Sequence, residues 1–276
     1  MTIELLYTGV LQGLVLAIIA FGIMIPFRFL NFPDLTAEGA YPLGGAVCAS
    51  LMVAGMPQIL ALIAGIVAGG LLAVGTSQVA LRLKVNSLLA GIILSTMAYS
   101  INLRIMGKPN IALFDMGGIN LDLISLIIVV MLCIIPFALF LHTDFGLRFR
   151  AMGNNPKFAI NHGFSVNKYT SLGLFIAGSM FGLAGSLIVQ MQQFMDVGMG
   201  VGIVIHGLAS LMIGESILGN STIPKQLAAP IIGALIYQQI QGIALSLGLA
   251  PSDLKFFTGS IVLIVLAIQK GGKEIS

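Results

Sequence analysis

Nine long apolar runs separated by short polar joints make up nearly the whole chain. They fall at about 5–27, 39–55, 57–80, 86–106, 119–141, 169–193, 199–217, 227–248 and 257–269. A helix needs about 20 apolar residues to cross a bilayer core, so the pattern predicts an all-α fold, a polytopic transmembrane helical bundle. The second, seventh and ninth runs are short for a full span. Short or Gly-interrupted segments in such bundles mark broken or re-entrant helices that line a pathway. The nine runs leave almost no length for a separate aqueous domain, so 1–276 reads as a single transmembrane domain.

Basic residues orient the runs. Nine spans place the termini on opposite sides. With the C-terminus inside, Arg28, Arg82, Lys84, Arg148, Arg150, Lys157, Lys168, Lys225, Lys270 and Lys273 face the cytoplasm, and Arg104, Lys108 and Lys255 face outward. Cytoplasmic joints of membrane proteins carry the excess of Lys and Arg, so the expected topology is N-terminus outside, C-terminus cytoplasmic. Met1 to Leu6 lacks the basic stretch of a signal peptide, and the first run is expected to be a retained span.

Composition agrees with the pattern and narrows the chemistry. The chain is 58% hydrophobic and 8% charged, against about 25% charged in a soluble domain. The formal charge is +3 with no Lys/Arg cluster interleaved with aromatics, which excludes nucleic acid as a partner. Cys48 and Cys133 lie inside apolar runs and read as small core residues. Glycines recur at helical intervals, as in Gly65 and Gly69, then Gly178, Gly182 and Gly185. Such spacing lets helix backbones approach closely in lipid. Asp34 to Gly39 precedes a run ending Ser50-Leu51-Met52-Val53, and Asp196 to Gly200 precedes one ending Ser210-Leu211-Met212-Ile213. In the expected topology the two echoes start on opposite sides, as an inverted repeat would.

No catalytic signature is present: no phosphate-binding loop, no H-E-x-x-H, and no Cys/His cluster with metal spacing. The chain therefore reads as a non-enzyme, with no cofactor and no metal implied. Any pumping must draw on a partner or an ion gradient. A candidate solute pathway comprises Asn31, Asp34, Thr36, Glu38 and His206; the ionisable residues nearer the membrane are Asp34, Glu38, His206 and Glu215. For Asp34 and Glu38 the alternative is a helix-capping role, since acids favour a helix N-terminus. For His206 it is a hydrogen bond inside the bundle.

The longest polar joint runs from His142 to Lys168. Asn155-Pro156 is a turn signal with Pro placed to open a helix, so 156–162 reads either as a short surface helix that docks a peripheral subunit or as a solvated loop. Gly146, Arg148, Arg150, Ala151, Gly153, Asn154, Pro156, Ala159 and Gly163 in this joint resemble the cytoplasmic coupling region of ABC importer permeases, the family of branched-chain amino acid and ribose permeases. The stretch Asn31-Phe32-Pro33-Asp34-Leu35-Thr36-Ala37-Glu38-Gly39 resembles that family's early motif. So do the glycine-rich run Gly178 to Gly185 and the pair Met199-Gly200 followed by Gly207 to Gly214. The resemblance covers about residues 5–270.

The resemblance implies a permease domain that works as a homodimer with a second copy. Cytoplasmic ABC ATPase subunits would dock on 146–163, with Arg148, Arg150 and Asn154 in contact. An extracytoplasmic binding lipoprotein would deliver a small-molecule solute for import across the bacterial plasma membrane. Within the family the chain is similar to a group linked to amino-acid uptake, with tryptophan or tyrosine favoured. Its Pro33-Asp34-Leu35-Thr36 departs from the branched-chain pattern. A self-contained secondary carrier or channel is the alternative class.

Overall fold

The computed structural model describes residues 3–114, 121–155, 159, 161–248, 253, 256, 259, 260 and 263. The described chain is almost wholly helical, as the periodicity predicts. Its helices are α1 (Ile3–Met24), α2 (Ala37–Val53), α3 (Gln58–Arg82), α4 (Ser87–Met106), α5 (Leu123–His142), α6 (Asp144–Asn154), α7 (Val166–Gln192), α8 (Ile203–Leu218) and α9 (Ile223–Ser246). A π-helical turn, Ile25–Phe29, continues α1. Six of the helical stretches are long and apolar enough to cross a membrane, and α1 with the π turn counts as one of them. The runs expected to be short give the 17-residue α2 and the 16-residue α8. The ninth run, 257–269, lies almost wholly outside the described residues.

The chain divides into two compact units. The first comprises residues 1–21, 122–134 and 204–276; the second comprises 22–121 and 135–203. In the first, α8 and α9 meet through small residues. Gly214 lies on the Ala229 backbone and Gly233 on the Ser210 carbonyl, each where a Cβ would collide.

The second unit is built on α2, α3 and α7, which pack on one another, with α4 laid against α2 and α3. Its logic is that of a lipid-embedded bundle. Large apolar side chains of α3 (Ile59, Ile63, Val67, Leu71) face outward, while Gly65, Gly69, Ala73, Thr76 and Ser77 are buried. In lipid, burying Leu gains little over leaving it exposed to acyl chains, so the interior goes to residues small enough for close backbone contact. A Cβ on Gly69 would meet the Gly178 carbonyl and lie 2.9 Å from the Gly182 Cα. The same contact carries a buried hydrogen bond, Ser186 Oγ donating to the Gly44 carbonyl at 3.1 Å. The helical glycine spacing thus corresponds to real helix–helix contact. On α5 the outward stripe is Ile124, Ile128, Leu132, Ile135 and Leu139, at helical spacing.

Two short strands, β1 (Asn110–Ala112) and β2 (Phe194–Asp196), pair antiparallel with Ile111 opposite Met195. They tie the C-terminal ends of α4 and α7 to the same side of the unit. Beyond β2 the chain does not stay at that end. The irregular segment 197–202 runs back along α2 until Gly200 lies against the Glu38 carbonyl and Pro42.

Candidate functional site

The chain reverses direction between the π turn and α2. Phe32 N–H donates to the Pro26 carbonyl at 2.9 Å, and Asn31 takes the left-handed conformation at φ 48°, which Asn tolerates better than most residues. Asp34 then organises the entry to α2. Its Oδ1 accepts from the Thr36 N–H at 2.9 Å and from the Thr36 hydroxyl, closing an Asx turn. Thr36 Oγ1 in turn lies 2.7 Å from Thr76 Oγ1 of α3. Asp34 and Thr36 are both buried, and Gly91 of α4 leaves room for this turn, since a Cβ there would lie 2.8 Å from Asp34 Oδ1. Asp34 and Thr36 thus shape the start of α2 and tie it to α3.

Glu38, one turn on, does something different. It lines a cavity of about 250 Å³ in the second unit, between α2, α4 and the 197–202 segment. The other polar lining residues, Ser95, Thr96, Tyr99 and Asn102, all come from α4. Pro42, Val197 and Val201 supply apolar wall. Ser95 and Asn102 stand eleven and four residues before Met106, so at 1.5 Å per residue they sit ~16 Å and ~6 Å in from that end of α4. The cavity is thus let into the body of a spanning helix rather than into a surface loop.

Hydrogen bonding inside the cavity is lopsided. One Glu38 carboxylate oxygen accepts from the Gly202 N–H at 3.2 Å. The Ser95 hydroxyl donates to the Leu35 carbonyl at 3.0 Å and the Thr96 hydroxyl to the Ile92 carbonyl at 2.8 Å, so both protons are used within the protein. Pro42 has no N–H, which leaves the Glu38 carbonyl without its i+4 donor. Asn102 is fully buried, and neither its carbonyl oxygen nor its amide nitrogen has a partner. Orphaned buried polar groups each cost about 1–3 kcal/mol. Asn102→Leu, similar in size, is therefore expected to raise the apparent Tm of the detergent-solubilised protein by a few degrees. A fall in Tm would show that the amide supports the fold.

The other residues singled out in the sequence do not join this cavity. Asn31 is exposed at the reversal. His206 belongs to the first unit, where its ring meets Tyr237 edge-on at 5.7 Å. Reading the sequence found Glu38 but missed its α4 partners. Their signal was present: 95, 96, 99 and 102 follow i, i+1, i+4, i+7 spacing in an otherwise apolar run, a polar stripe along one helix face.

The 142–168 joint does contain a helix, α6, N-terminal to the expected 156–162; within the latter, the described Ala159 and Asn161 are helical. Thr143 opens it by accepting the Gly146 N–H at 3.2 Å, and Asp144 sits in its first turn. Gly146, Phe149, Met152 and Gly153 are buried, while Phe145, Leu147 and Arg148 are exposed, an amphipathic helix read by its i, i+3 spacing. Gly146 packs on Phe140 and Leu141, and Gly153 on the Phe29 carbonyl of the π turn, both too closely for a Cβ. The Arg148 guanidinium stacks over Phe164 at 5.1 Å. Arg150 is half-buried, with its Nε unpartnered. Ala151 is half-buried, Ala159 fully buried, and Gly163 is an exposed turn residue at φ 77°. Pro156 and the Asn154 side chain lie outside what the structure describes, as does most of the expected 156–162 helix.

The second unit thus holds a polar-lined cavity beside α4, a helix of spanning length, and a surface helix seated on the π turn. The chain matches, over residues 5–267, the family described as the branched-chain amino acid transport system permease component. The chain belongs to that permease family. It is 36% identical over 260 residues to a tyrosine transport system permease protein of Clostridioides difficile, covering 93% of this chain and 88% of the relative. It is 34% identical over 277 residues to an uncharacterised protein of Rickettsia prowazekii, covering 97% and 98%. A nucleoside ABC transporter permease protein of Lactococcus lactis is 27% identical over 147 residues, 51% of this chain and 38% of the relative. No solved structure matches the chain. Membership in the permease family, with six helices fit to span, makes this a multi-pass membrane protein of the ABC permease class.

Proposed function

We propose that the chain is the membrane-spanning subunit of an ATP-driven importer that moves an amino acid, tyrosine first among the candidates, into the cytoplasm. The cavity carries this reading, since it presents an acid, a carboxamide and hydroxyl groups within a spanning bundle beside apolar wall. The tyrosine permease relative supplies the choice of solute. The 1–276 chain acts as one permease domain and pairs with a second copy as a homodimer. Its C-terminus is cytoplasmic and its N-terminus outside, in keeping with the distribution of Lys and Arg.

ATP is bound and hydrolysed by separate subunits, and a binding lipoprotein delivers solute from outside. The ATPase docks on the exposed side of α6, where Phe145 and Leu147 offer apolar contact and Arg148 a cation. Arg150 lies alongside, and Asn154, Pro156, Ala159 and Gly163 complete the coupling region. ATP-driven closure of the partner shifts α6 as a body, and the bundle exchanges one packed arrangement for another.

The test is purification of the tagged protein from its native membrane with whatever accompanies it, followed by uptake of radiolabelled tyrosine by the reconstituted assembly. Co-purification of an ATPase and a binding protein, with ATP-dependent uptake, is expected. A chain that comes alone after crosslinking and moves solute on an ion gradient would establish the carrier class instead.

A further inference from the structure

The cavity beside Glu38 carries more information than its volume, because its donors and acceptors do not balance. The acceptors are the second Glu38 carboxylate oxygen, the Glu38 carbonyl released by Pro42, the lone pairs of Ser95 and Thr96, and the Asn102 side-chain oxygen. Among the described lining residues, the side-chain donors left over are the Asn102 amide and the Tyr99 hydroxyl, since the Ser95 and Thr96 protons are already bonded to backbone carbonyls. Among the described residues, no Lys, Arg or His lines the cavity. An acid at membrane depth with no cationic neighbour is costly and marks a place where a positive ligand group is received. Asn102, fully buried with both polar atoms unpartnered, is the second sign that a ligand completes the site.

We propose that this cavity is the solute-binding site, that Glu38 and the acceptors around it take a primary ammonium group, and that the Asn102 amide and Tyr99 hydroxyl donate to an acceptor group on the same molecule. A primary ammonium offers three N–H donors and no acceptor, which matches the surplus of acceptors. An adjoining carboxylate uses the two donors without requiring a protein cation. The ligand class is therefore a zwitterionic α-amino acid, held at its backbone end by α2 and α4, with Pro42, Val197 and Val201 beside its side chain. Gly200 closes the pocket because only a residue without Cβ fits against the Glu38 carbonyl and Pro42. The identification rests on the reading of the chain as an amino-acid permease; the preference for a cation does not.

The experiment separates the two. The full-length protein, purified in detergent, carries Asn102→Cys or, as a second reporter should that variant fail to fold, Thr96→Cys. Each thiol is reacted with an aminoethyl (cationic) and a sulfonatoethyl (anionic) methanethiosulfonate, with the unsubstituted protein as background. Normalised to a free thiol in solution, the cationic reagent is expected to be favoured more than tenfold, and Glu38→Gln is expected to bring that ratio close to one. Tyrosine and tyramine should slow labelling, and 4-hydroxyphenylacetate, which lacks the amine, should not. Absence of the charge preference, or a preference that survives Glu38→Gln, overturns the proposed site. A Glu38-dependent preference without protection by tyrosine upholds the ammonium site and removes tyrosine as the solute.

Discussion

Gly182→Ala is expected to destabilise the protein by about 3 kcal/mol, on the order of 10 °C in apparent Tm, though it adds a single methyl group. Gly182 of α7 lies at the centre of the contact with α2 and α3. Its own Cβ would strike the Gly65 carbonyl, and its Cα already lies where a Cβ on Gly44 would go. The obstructing atoms are backbone on all sides, so no rotamer change relieves the clash and the helices must separate. Separation also breaks the Ser186 hydrogen bond to the Gly44 carbonyl across the contact, at 3.1 Å. The internal control is Gly75→Ala on α3. There a Cβ meets only Leu94 Cδ1 at 3.4 Å, an ordinary contact. Its Tm should stay level or rise slightly, because alanine favours a helix interior by roughly 0.5–1 kcal/mol. Thermal unfolding of both variants in the same detergent decides the point; equal Tm values would show that the α2–α3–α7 contact is looser than described.

The second large effect is expected at Gly153, and on transport rather than on assembly. Gly153 sits on the Phe29 carbonyl, 3.0 Å from the Leu30 Cα as measured from a Cβ placed on it. The π turn ending at Phe29 leads through the Asn31 reversal into Asp34, Thr36 and Glu38, so eight residues separate the α6 contact at Phe29 from Glu38 at the proposed binding cavity. A methyl at 153 pushes α6 off the π turn while leaving the proposed docking surface, the exposed Phe145, Leu147 and Arg148, in place. Gly153→Ala should therefore keep the ATPase in the purified complex yet lower solute uptake at least tenfold. Replacing Arg148 and Arg150 together by alanine should instead lose the ATPase from the complex, and ATP-dependent uptake with it. Co-purification read alongside uptake distinguishes the two. If Gly153→Ala transports normally, the contact between α6 and the π turn does not carry the coupling.

Much of this architecture is written in the apolar periodicity. Runs of about 20 apolar residues with few charges have little choice but to be lipid-spanning helices, because every backbone N–H and C=O must be satisfied within the segment. The glycine intervals at 65 and 69 and at 178, 182 and 185 likewise foretell close contact, since small residues on one helix face in lipid serve little else. Glu38 stood out because an acid beside an apolar run is expensive. Thr143 and the 146, 149, 152, 153 pattern mark α6 in the sequence as a capped, amphipathic helix.

Tertiary structure alone decided which polar residues meet. Asp34, Thr36 and Glu38 are sequence neighbours with the same apparent chemistry, yet the Asx turn buries the first two against α3 and α4 while Glu38 faces the cavity. Ser95, Tyr99 and Asn102 lie about sixty residues further along the chain, and only the packing of α4 on α2 brings them to Glu38. Segment 197–202 arrives from more than 150 residues away, directed by the pairing of β2 with β1 and admitted by the missing side chain of Gly200. Local spacing specifies helices because their hydrogen bonds close within four residues. A cavity is the complement of surfaces from distant segments, so its donors and acceptors can be counted only once those segments are packed.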